Sequence, residues 1–509
     1  MSLISVPEIR VRQCNSTAVR QDGRFVLYWM IAFRRATWNF ALDRAVEWAG
    51  SLGKPLVVLE ALRCDYAWAS DRMHSFVLDG MAENACRFEG TGVLHYPFLE
   101  FEPNAGKGLL RAMAAHACVV VTDDFPCFFL PRMVAAAALQ VPVRMEAVDS
   151  NGLLPLRASD QAFSTAYSFR RFLQNELPLH LMKFPKANTL ANATIPAANG
   201  VPREITANWP RMSATELNGD RSFLAKMLIN HSVRPVAARG GTSAAQSLLK
   251  EFVENKLESY LEERNEPDRN AASGLSSYLH FGHISAHQIF SEIAEHEAWF
   301  PEHLGLRATG SRTGWWGVGR AAEAFLDQLV TWRELGFNFC SQRKDYDQFN
   351  SLPEWARKTL RGHARDERAY VYTLKEFERA ATHDPLWNAA QTQLAREGSI
   401  HNYFRMLWGK KILEWSPSPT KALEIMVELN NKYALDGRAP NSYTGIFWCL
   451  GRYDRPWGPE RPIFGTVRYM SSTNTARKLS VKEYLRKYTP DQLRQEVEMN
   501  RDTQRVPRG

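Results

Sequence analysis

RFVLYWMIAF, residues 24–33, is a nearly unbroken apolar run of the length of a strand. Further runs of this kind follow before residue 150, and a stretch with helical periodicity separates each from the next. Strands that are apolar on both faces and alternate with helices are typical of a parallel sheet that is covered by helices on both sides. The front of the chain is therefore predicted to be a doubly wound α/β domain.

The predicted elements of this domain alternate along the chain. The strands are Arg24–Ile31, Pro55–Leu62, Val93–Phe98, Cys118–Asp123 and Val141–Val148. The helices are Trp38–Ser51, Arg72–Glu89, Gly108–Ala117 and Pro131–Leu139. The turn after the first strand reads Ile31-Ala32-Phe33-Arg34-Arg35, without the GxGxxG fingerprint of dinucleotide-binding folds. We therefore expect no dinucleotide to be bound by that device.

Behind this domain the character of the sequence changes. Residues 183–220, KFPKANTLANATIPAANGVPREITANWPRMSATELNGD, lose periodicity and are rich in Ala, Asn, Pro and Gly. From 221 to 488 helical patterns dominate. The predicted organisation is an α/β domain over 20–182, an interdomain linker over 183–220, an all-α domain over 221–488 and a short tail over 489–509.

Composition narrows the class of protein. The chain has 509 residues, 45% of them apolar and 23% charged, which is globular composition with room for two domains. Runs such as Phe25–Ile31 and Cys118–Val121 are too short to span a membrane, and no secretory segment is visible. Seven cysteines without a CxxC pair argue against a disulfide framework, a zinc ribbon and an iron–sulfur cluster. We expect an intracellular protein, cytoplasmic or, in a eukaryote, nuclear.

Positive charge is concentrated at the end of the chain. The formal net charge is +8, and the segment from Gly451 onward contains 13 Lys and Arg but only 7 Asp and Glu. A one-sided basic excess suits a polyanionic partner, because phosphate neutralisation releases counterions. A solvated basic tail would look the same, so both interpretations stay open on charge alone.

Several long motifs occur in order along the chain. They are RFVLYWMIAFRRATWNFAL (24–42), LSSYLHFGHIS (275–285), THDPLWNAAQ (382–391), HNYFRMLWGKKILEW (401–415), LNNKYALDGRAPNSYTGIFW (429–448) and DRPWGPERPIFGTVRYM (454–470). Together they resemble the class II cyclobutane pyrimidine dimer photolyases of the photolyase/cryptochrome family. The resemblance implies a helical domain that holds FAD, and light-driven repair of pyrimidine dimers in DNA by electron transfer from excited FADH⁻.

The resemblance also implies which residues hold the flavin. They are Tyr260, Ser273, Gly274, Leu275, Ser276, Arg333, Asn402, Asn430 and Asp436, with Asn430 facing flavin N5 and Asp436 accepting from the flavin N–H edge. Hydroxyls and N–H groups in the Ser273–Ser276 stretch, just before the helix of Tyr278, suit a phosphate, although an ordinary serine cap would have the same sequence. Without the resemblance, LDGRAPN would indicate only a turn.

Electron transfer and substrate contact are implied for a further set. Trp408, Trp387 and Tyr372 match the family's aromatic relay, with Trp408 nearest the flavin. Trp408 and Trp415 lie seven residues apart on one helix face, so a plain core role would give the same spacing. The implied wall of the lesion pocket is Trp332, Met406 and Trp448, and the implied DNA contacts are Arg455 and Arg468. The last two fall within the basic end of the chain.

The sequence departs from the family near the expected site. Asp327-Gln328-Leu329 stands where Glu-Glu-Leu is usual. Gln328 can donate a hydrogen bond to the dimer but cannot lend it a proton, so we hypothesise weakened dimer splitting. Ala439 and Ser442 replace Asp and Gly in DGRDPNGYTG, and Ser277 stands at a usual proline.

Three functions are compatible with these residues. The first is dimer repair in DNA by a monomer, with the lesion flipped into the pocket and no membrane involved. The second is a cryptochrome-like photoreceptor, for which Gln328 is the best argument. The third is a light-independent nucleic-acid binder with a vestigial flavin fold. The front domain could hold a second, antenna chromophore, a deazaflavin or a folate, or none, and the sequence does not identify one.

Overall fold

The structure, a computed structural model, describes residues 6–489 except 192 and 270, so the predicted tail lies outside the described residues from 490 onward. The chain forms two compact units. The first comprises Met1–Glu258, Ser273–Lys344 and Arg438–Asn441. The second comprises Ser259–Ala272, Asp345–Gly437 and Ser442–Gly509. The boundaries between the units fall after residues 258, 272, 344, 437 and 441, and none of them coincides with the domain boundary expected near residue 220.

A six-stranded sheet is the centre of the first unit. Its strands are β1 (Val11–Gln13), β2 (Phe25–Met30), β3 (Leu56–Leu62), β4 (Leu94–Leu99), β5 (Ala117–Asp123) and β6 (Arg144–Val148). Their order across the sheet is β1-β6-β5-β2-β3-β4, and every pair except β1 with β6 is parallel. All residues of β2 and β5 are buried, as expected for central strands. The predicted doubly wound α/β architecture and its five strands are confirmed.

Two details of the sheet differ from the prediction. The edge strand β1 was missed, because three residues that pair antiparallel with β6 carry no apolar run. Ala117 opens β5, whereas the prediction placed it at the end of a helix. The helix ends earlier, at Ala114, and Ala117 is buried and pairs with Phe25 of β2.

The turn after β2 is fixed by one carboxylate. Asp123, at the end of β5, accepts the N–H groups of Ile31, Ala32 and Phe33 through Oδ2 at 2.6–2.9 Å. Its Oδ1 accepts the Tyr28 hydroxyl at 2.7 Å. The N–H groups that a dinucleotide-binding turn would offer to phosphate are thus occupied within the protein.

Helices complete the first unit. They are α1 (Phe40–Leu52), α2 (Asp71–Phe88), α3 (Leu109–Ala114), α4 (Leu130–Ala138), α5 (Ala166–Glu176), α6 (Arg203–Asn208), α7 (Ala214–Asn218), α8 (Thr242–Asn255), α10 (Ser276–His280), α11 (Ala286–His296), α12 (Arg320–Leu326) and α13 (Arg333–Gln342), where α9 belongs to the second unit. The segment predicted as a linker contains α6 and α7. Leu217 of α7 is fully buried against Leu62 and Val77, so this part of the segment is packed chain.

The described residues of the second unit are largely helical. The helices are α9 (Tyr260–Glu263), α14 (Glu354–Gly362), α15 (Leu374–Glu378), α16 (Pro385–Glu397), α17 (Asn402–Trp415), α18 (Pro419–Tyr433), α19 (Pro440–Cys449), α20 (Ser472–Lys478) and α21 (Lys482–Tyr488), with α19 beginning two residues ahead of the unit. Their apolar faces meet in one core that includes Trp387, Trp408 and Trp415. This agrees with the predicted all-α character.

Within the described ranges, no helix is both long enough and apolar enough to cross a membrane. All seven cysteines lie in the described part and are free thiols.

Candidate functional site

The predicted site residues are divided between the two units. Those in the first unit are Ser273, Gly274, Leu275, Ser276, Gln328, Trp332 and Arg333. Those in the second unit are Tyr260, Tyr372, Trp387, Asn402, Met406, Trp408, Asn430, Asp436, Trp448, Arg455 and Arg468.

Gln328 lies on a π-helical insertion, Asp327–Trp332, that joins α12 to α13. Insertions of this type are frequent at functional sites. The neighbouring carboxylate of Asp327 is already engaged, because Arg170 Nε donates to it at 2.9 Å and Trp332 Nε1 at 3.1 Å. Asp327 is therefore held as a structural ion pair, and half-buried Gln328 replaces the second glutamate of the family pattern.

Arg333, the first residue of α13, is buried with an unmet donor. Its Nη1 has no hydrogen-bond partner among the described residues, and its guanidinium lies 4.4 Å from the centre of the Phe337 ring. Burial lowers the pKa of Arg333 to about 10, which leaves it charged at neutral pH. A buried, charged N–H without an acceptor is costly, so this atom favours a ligand that brings a carbonyl or phosphate oxygen.

The serine-rich turn before α10 is compatible with a ligand but weakly defined. Gly274 has a φ of +70°, which a residue with a side chain rarely adopts. Ser273 Oγ accepts from Leu275 N–H at 3.5 Å, and α10 has only five residues. Tyr260, in the second unit, is buried, with the Arg264 guanidinium 5.4 Å from the centre of its ring.

Asn430 lies at the centre of a buried amide and hydroxyl cluster in the second unit. Its Nδ2 donates to Ser442 Oγ at 2.7 Å and to Asn431 Oδ1 at 3.2 Å. Asn431 in turn donates to the Tyr443 hydroxyl at 3.2 Å. Both amide hydrogens of Asn430 are engaged, so Oδ1 is the atom that it can offer to a ligand. Ser442, noted in the sequence as a departure from the family glycine, makes the shorter of these contacts.

Asp436 is paired with a residue that the sequence prediction missed. Arg405 Nη2 donates to its two carboxylate oxygens at 3.3 and 3.2 Å. Arg405 stands one helical turn before Trp408 on α17, and that spacing was a usable signal. Asn402, one further turn back, is exposed at the start of the helix.

The predicted relay residues lie together in the core of the second unit. Trp408 and fully buried Trp387 are joined by a hydrogen bond from Trp387 Nε1 to the Trp408 carbonyl at 3.0 Å. Trp408 Nε1 donates to Gln391 at 2.9 Å. The ring centre of Trp415 lies 6.0 Å from that of Trp387 and 5.9 Å from that of Tyr372. Trp415 thus bridges Trp387 and Tyr372, although the sequence prediction allowed it only a core role.

The helices that carry Met406 and Trp448, α17 and α19, cross closely. A methyl group on Gly409 of α17 would lie 2.4 Å from Cys449 Sγ of α19, so only glycine fits this contact. Buried Lys410 Nζ donates to the Cys449 carbonyl at 2.7 Å and so caps the end of α19. Burial lowers the pKa of Lys410 to about 8.

The predicted DNA contacts converge on an exposed tryptophan. The guanidinium groups of Arg455 and Arg468 lie 4.8 and 5.1 Å from the centre of the Trp457 ring. Trp457 Nε1 donates to Asp454 at 3.1 Å, which fixes the ring. Cations around an aromatic ring on a basic surface are typical of nucleic-acid contacts. Trp457 was quoted within a motif but not selected, because a tryptophan in a turn carries no spacing signal.

The first unit contains a cavity of about 600 Å³, which no sequence motif indicated. Trp29, Tyr66 and Phe125 contribute aromatic walls, and Arg34 and Arg438 are among its cationic residues. The size is that of a small-molecule site. Its lining comes from positions between 29 and 438, so no local pattern in the sequence could have indicated it.

A buried ion pair holds one wall of this cavity. Arg34 Nη1 donates to Glu60 Oε1 at 3.1 Å, while His95 and Asn84 contact Oε2 at 3.0 and 3.1 Å. Burial alone would raise the pKa of Glu60, but the hydrogen bond from His95 and the charge of Arg34 outweigh it and lower the pKa to about 2. The carboxylate therefore stays ionised and fixes Arg34 at the cavity.

Comparison with known proteins finds relatives of one kind along more than nine-tenths of the chain. Deoxyribodipyrimidine photo-lyases from Methanothermobacter thermautotrophicus and Oryza sativa subsp. japonica are 36% and 34% identical to this chain, over 94% and 91% of it and 97% and 87% of their own lengths. That of Potorous tridactylus is 32% identical over 94% of this chain and 84% of its own length. No protein-family model matches the chain.

Solved structures share the fold. A class III photolyase from Agrobacterium tumefaciens matches with a TM-score of 0.63 at 15% identity, over 93% of this chain and 87% of that one. A cryptochrome from Synechocystis sp. PCC6803 matches with a TM-score of 0.65 at 13% identity, over 91% of this chain and 88% of that one.

Proposed function

This chain belongs to the class II deoxyribodipyrimidine photo-lyases, and from that premise we propose that it repairs cyclobutane pyrimidine dimers in DNA by light-driven electron transfer. The observation that carries the proposal is the aromatic chain of Trp408, Trp387, Trp415 and Tyr372, which a light-independent binder would not need. Reduced FAD, when bound, supplies the light-excited electron that splits the cyclobutane ring.

Each unit, taken by itself, offers polar groups of the kind that bind a flavin. The unmet N–H of Arg333 offers a charged donor, and the free Oδ1 of Asn430 offers an acceptor suited to a protonated ring nitrogen. Asp436, held by Arg405, would accept from the opposite N–H edge of the ring. Ser273–Ser276 and Tyr260 would contribute to the phosphate side, and Asn402 a further contact.

DNA would be held by the basic aromatic surface. Arg455 and Arg468 would contact phosphates beside the flipped lesion, and Trp457 offers a stacking face between them. Trp332, Met406 and Trp448 would contact the dimer itself. Replacing Arg468 by Gln should weaken binding for all sequences and reduce its salt dependence by about one unit of slope.

The decisive experiment is illumination of the reduced protein with an oligonucleotide that contains a thymine dimer. Recovery of thymine absorbance in light, and none in the dark, is expected. If the flavin responds to light but the absorbance does not recover, a photoreceptor is the correct function.

That second function has one specific observation in its favour, Gln328 at the turn where a proton donor is expected. A Gln328→Glu variant should raise the repair yield severalfold, because a carboxylic acid can lend a proton to the dimer anion radical. Gln342→Glu, on α13 of the same unit, is the matched control and should leave the yield unchanged. An unchanged yield in Gln328→Glu would remove Gln328 from the lesion pocket.

The cavity of the first unit suits a second chromophore. Its aromatic walls would stack on a planar ring, and its arginines would neutralise an anionic tail, as either a deazaflavin or a folate requires. The absorption spectrum of the purified protein, before and after flavin reduction, tests this. A band that disappears in an Arg34→Met variant would locate the ligand here, while a spectrum of flavin alone would leave the cavity without a chromophore.

A further inference from the structure

Tyr372 and His383 form a hydrogen-bonded pair at the end of the aromatic chain. The backbone N–H of His383 donates to the Tyr372 phenol oxygen at 3.0 Å, and that oxygen lies 2.8 Å from His383 Nδ1. With the backbone N–H on one lone pair of the oxygen, a phenol O–H donated to Nδ1 satisfies the polar atoms of both side chains. In this arrangement the imidazole carries its ring hydrogen on Nε2 and accepts through Nδ1, and the tautomer is measured below.

Other rings enclose the pair. The centre of the Trp415 ring lies 5.9 Å from that of Tyr372 and 4.9 Å from that of His383. Tyr370, whose side chain is 47% exposed, stacks on the imidazole with ring centres 3.7 Å apart. The imidazole thus lies between a buried indole and the surface of the protein.

The nearby carboxylates are already engaged. Asp384 caps α16 by accepting the N–H groups of Leu386 and Trp387, both at 3.0 Å, and it also accepts the Ser472 hydroxyl. Glu376 accepts the backbone N–H and hydroxyl of Thr373 at 2.7 and 2.8 Å.

Three titratable groups act on the pair, namely Tyr370, Glu376 and Asp384. Lys411, whose Nζ lies 5.3 Å from the centre of the Trp415 ring, is paired with Glu414. Partial burial raises the pKa of Tyr372, and Tyr370, Glu376 and Asp384 add to this effect. The phenol is therefore protonated at neutral pH and must lose that proton when it is oxidised.

We propose that His383 is the proton acceptor for the oxidation of Tyr372. This rests on the proposed function, in which a bound, light-excited oxidised flavin would supply the oxidising equivalent that reaches Tyr372 through the tryptophans. In the step itself, Tyr372 gives one electron to the Trp415 radical cation, which returns to neutral tryptophan. The phenol O–H bond breaks, its proton forms a bond to Nδ1, and the products are a neutral tyrosyl radical and an imidazolium.

The step moves the positive charge out of the core. His383 is exposed, so the imidazolium can release its Nε2 proton to water. Return of the electron to Tyr372 then also requires return of a proton. The pair thereby extends the lifetime of the separated charge.

Transient absorption after a light pulse on the oxidised holoprotein tests the proposal. In His383→Gln, the yield of tyrosyl radical should fall at least about tenfold, and the solvent deuterium isotope effect on its formation should be lost. His303→Gln, at an exposed site of the first unit, is the control. Tyr370→Phe keeps the stacked ring and removes its hydroxyl, so it distinguishes the effect of stacking from that of the hydroxyl group. An undiminished radical yield in His383→Gln overturns the inference.

A second measurement does not depend on the flavin. Nitrogen-15 NMR of labelled histidine should show the Nε2–H tautomer for His383, and Tyr372→Phe should shift its Nδ1 resonance. An Nδ1–H tautomer overturns the inference. If illumination neither reduces the oxidised flavin nor lets the reduced protein repair a thymine dimer, the proposed function fails instead, while the tautomer still decides whether the pair is built as described.

Discussion

In the first unit the buried Glu60 carboxylate is met by Arg34, His95 and Asn84, whereas in the second unit buried Trp387 is met by other rings and by one carbonyl oxygen. The first arrangement fixes a charge beside a cavity. The second places uncharged, oxidisable rings in series. Buried ions are suited to orienting a ligand at a cavity. Beside an aromatic ring they would shift its oxidation potential, so ligand binding and electron transfer require differently composed protein interiors.

The largest effect is expected where a buried charge loses its partner. Glu60→Gln should lower the free energy of unfolding by about 3–5 kcal/mol, because Arg34 would remain buried without a counter-charge. Urea denaturation measures this. Glu424→Gln, which breaks the exposed pair with Lys421 in the second unit, should cost less than about 1 kcal/mol. Equal losses in both variants would contradict the comparison.

Substitutions in the aromatic chain are expected to slow electron transfer more than they lower the free energy of unfolding. Trp387→Phe should slow photoreduction of the oxidised flavin by roughly one to two orders of magnitude, about 1.4–2.8 kcal/mol of barrier, because phenylalanine is not readily oxidised. Flash photolysis gives the rate. Trp299→Phe, a buried tryptophan of the first unit, is the control, and an equal slowing there would show that packing, and not the relay, is affected.

Acid should weaken the first unit through its buried imidazoles. Burial lowers the pKa of His283 to about 3, below the 6.5 of an unfolded histidine. Below pH 6.5 the unfolded chain binds more protons, so stability falls as the pH decreases, by about 2 kcal/mol at pH 5 for this residue. His283→Asn keeps an acceptor for the Gly241 N–H and should flatten the dependence of urea midpoint on pH, while His303→Asn should not.

The smallest effect is expected at Ser442. Ser442→Gly restores the family residue and removes one acceptor from Asn430, at a cost of about 1 kcal/mol. Freed from this contact, the Asn430 amide can turn, and the midpoint potential of the bound flavin should change. Ser471→Gly, at a surface helix cap, is the control for stability, and spectroelectrochemistry measures the potential. An unchanged potential would separate Ser442 from the flavin.

Much of the fold could be predicted because the information is local. Apolar runs located β2 to β6, and the helical character of the second unit followed from periodicity. The strand Val11–Gln13 could not be found, because its pairing partner, β6, lies more than 130 residues away. The π-helical insertion was missed for a different reason, since one inserted residue shifts the phase of the helical pattern only once and α12 and α13 on either side are short.

The candidate site shows a similar division. The motifs identified Trp387, Trp408 and Asn430, but they did not predict the hydrogen bonds and ring contacts that orient these side chains. Arg405, Trp415 and His383 acquire meaning only from distances that tertiary packing sets. Ser442 was visible as a departure from the family, yet its hydrogen bond to Asn430 required the fold.

The carboxylate of Asp123 has a consequence for competition among ligands in the cell. It sits where a parallel α/β domain commonly receives the phosphate of a nucleotide, and it binds the same three N–H groups. Abundant free nucleotides therefore find no vacant anion site at this turn. Selectivity for a ligand of the first unit therefore depends on the shape and aromatic walls of its cavity. A scarce ligand of this cavity does not have to compete with abundant nucleotides for the N–H groups of the turn after β2.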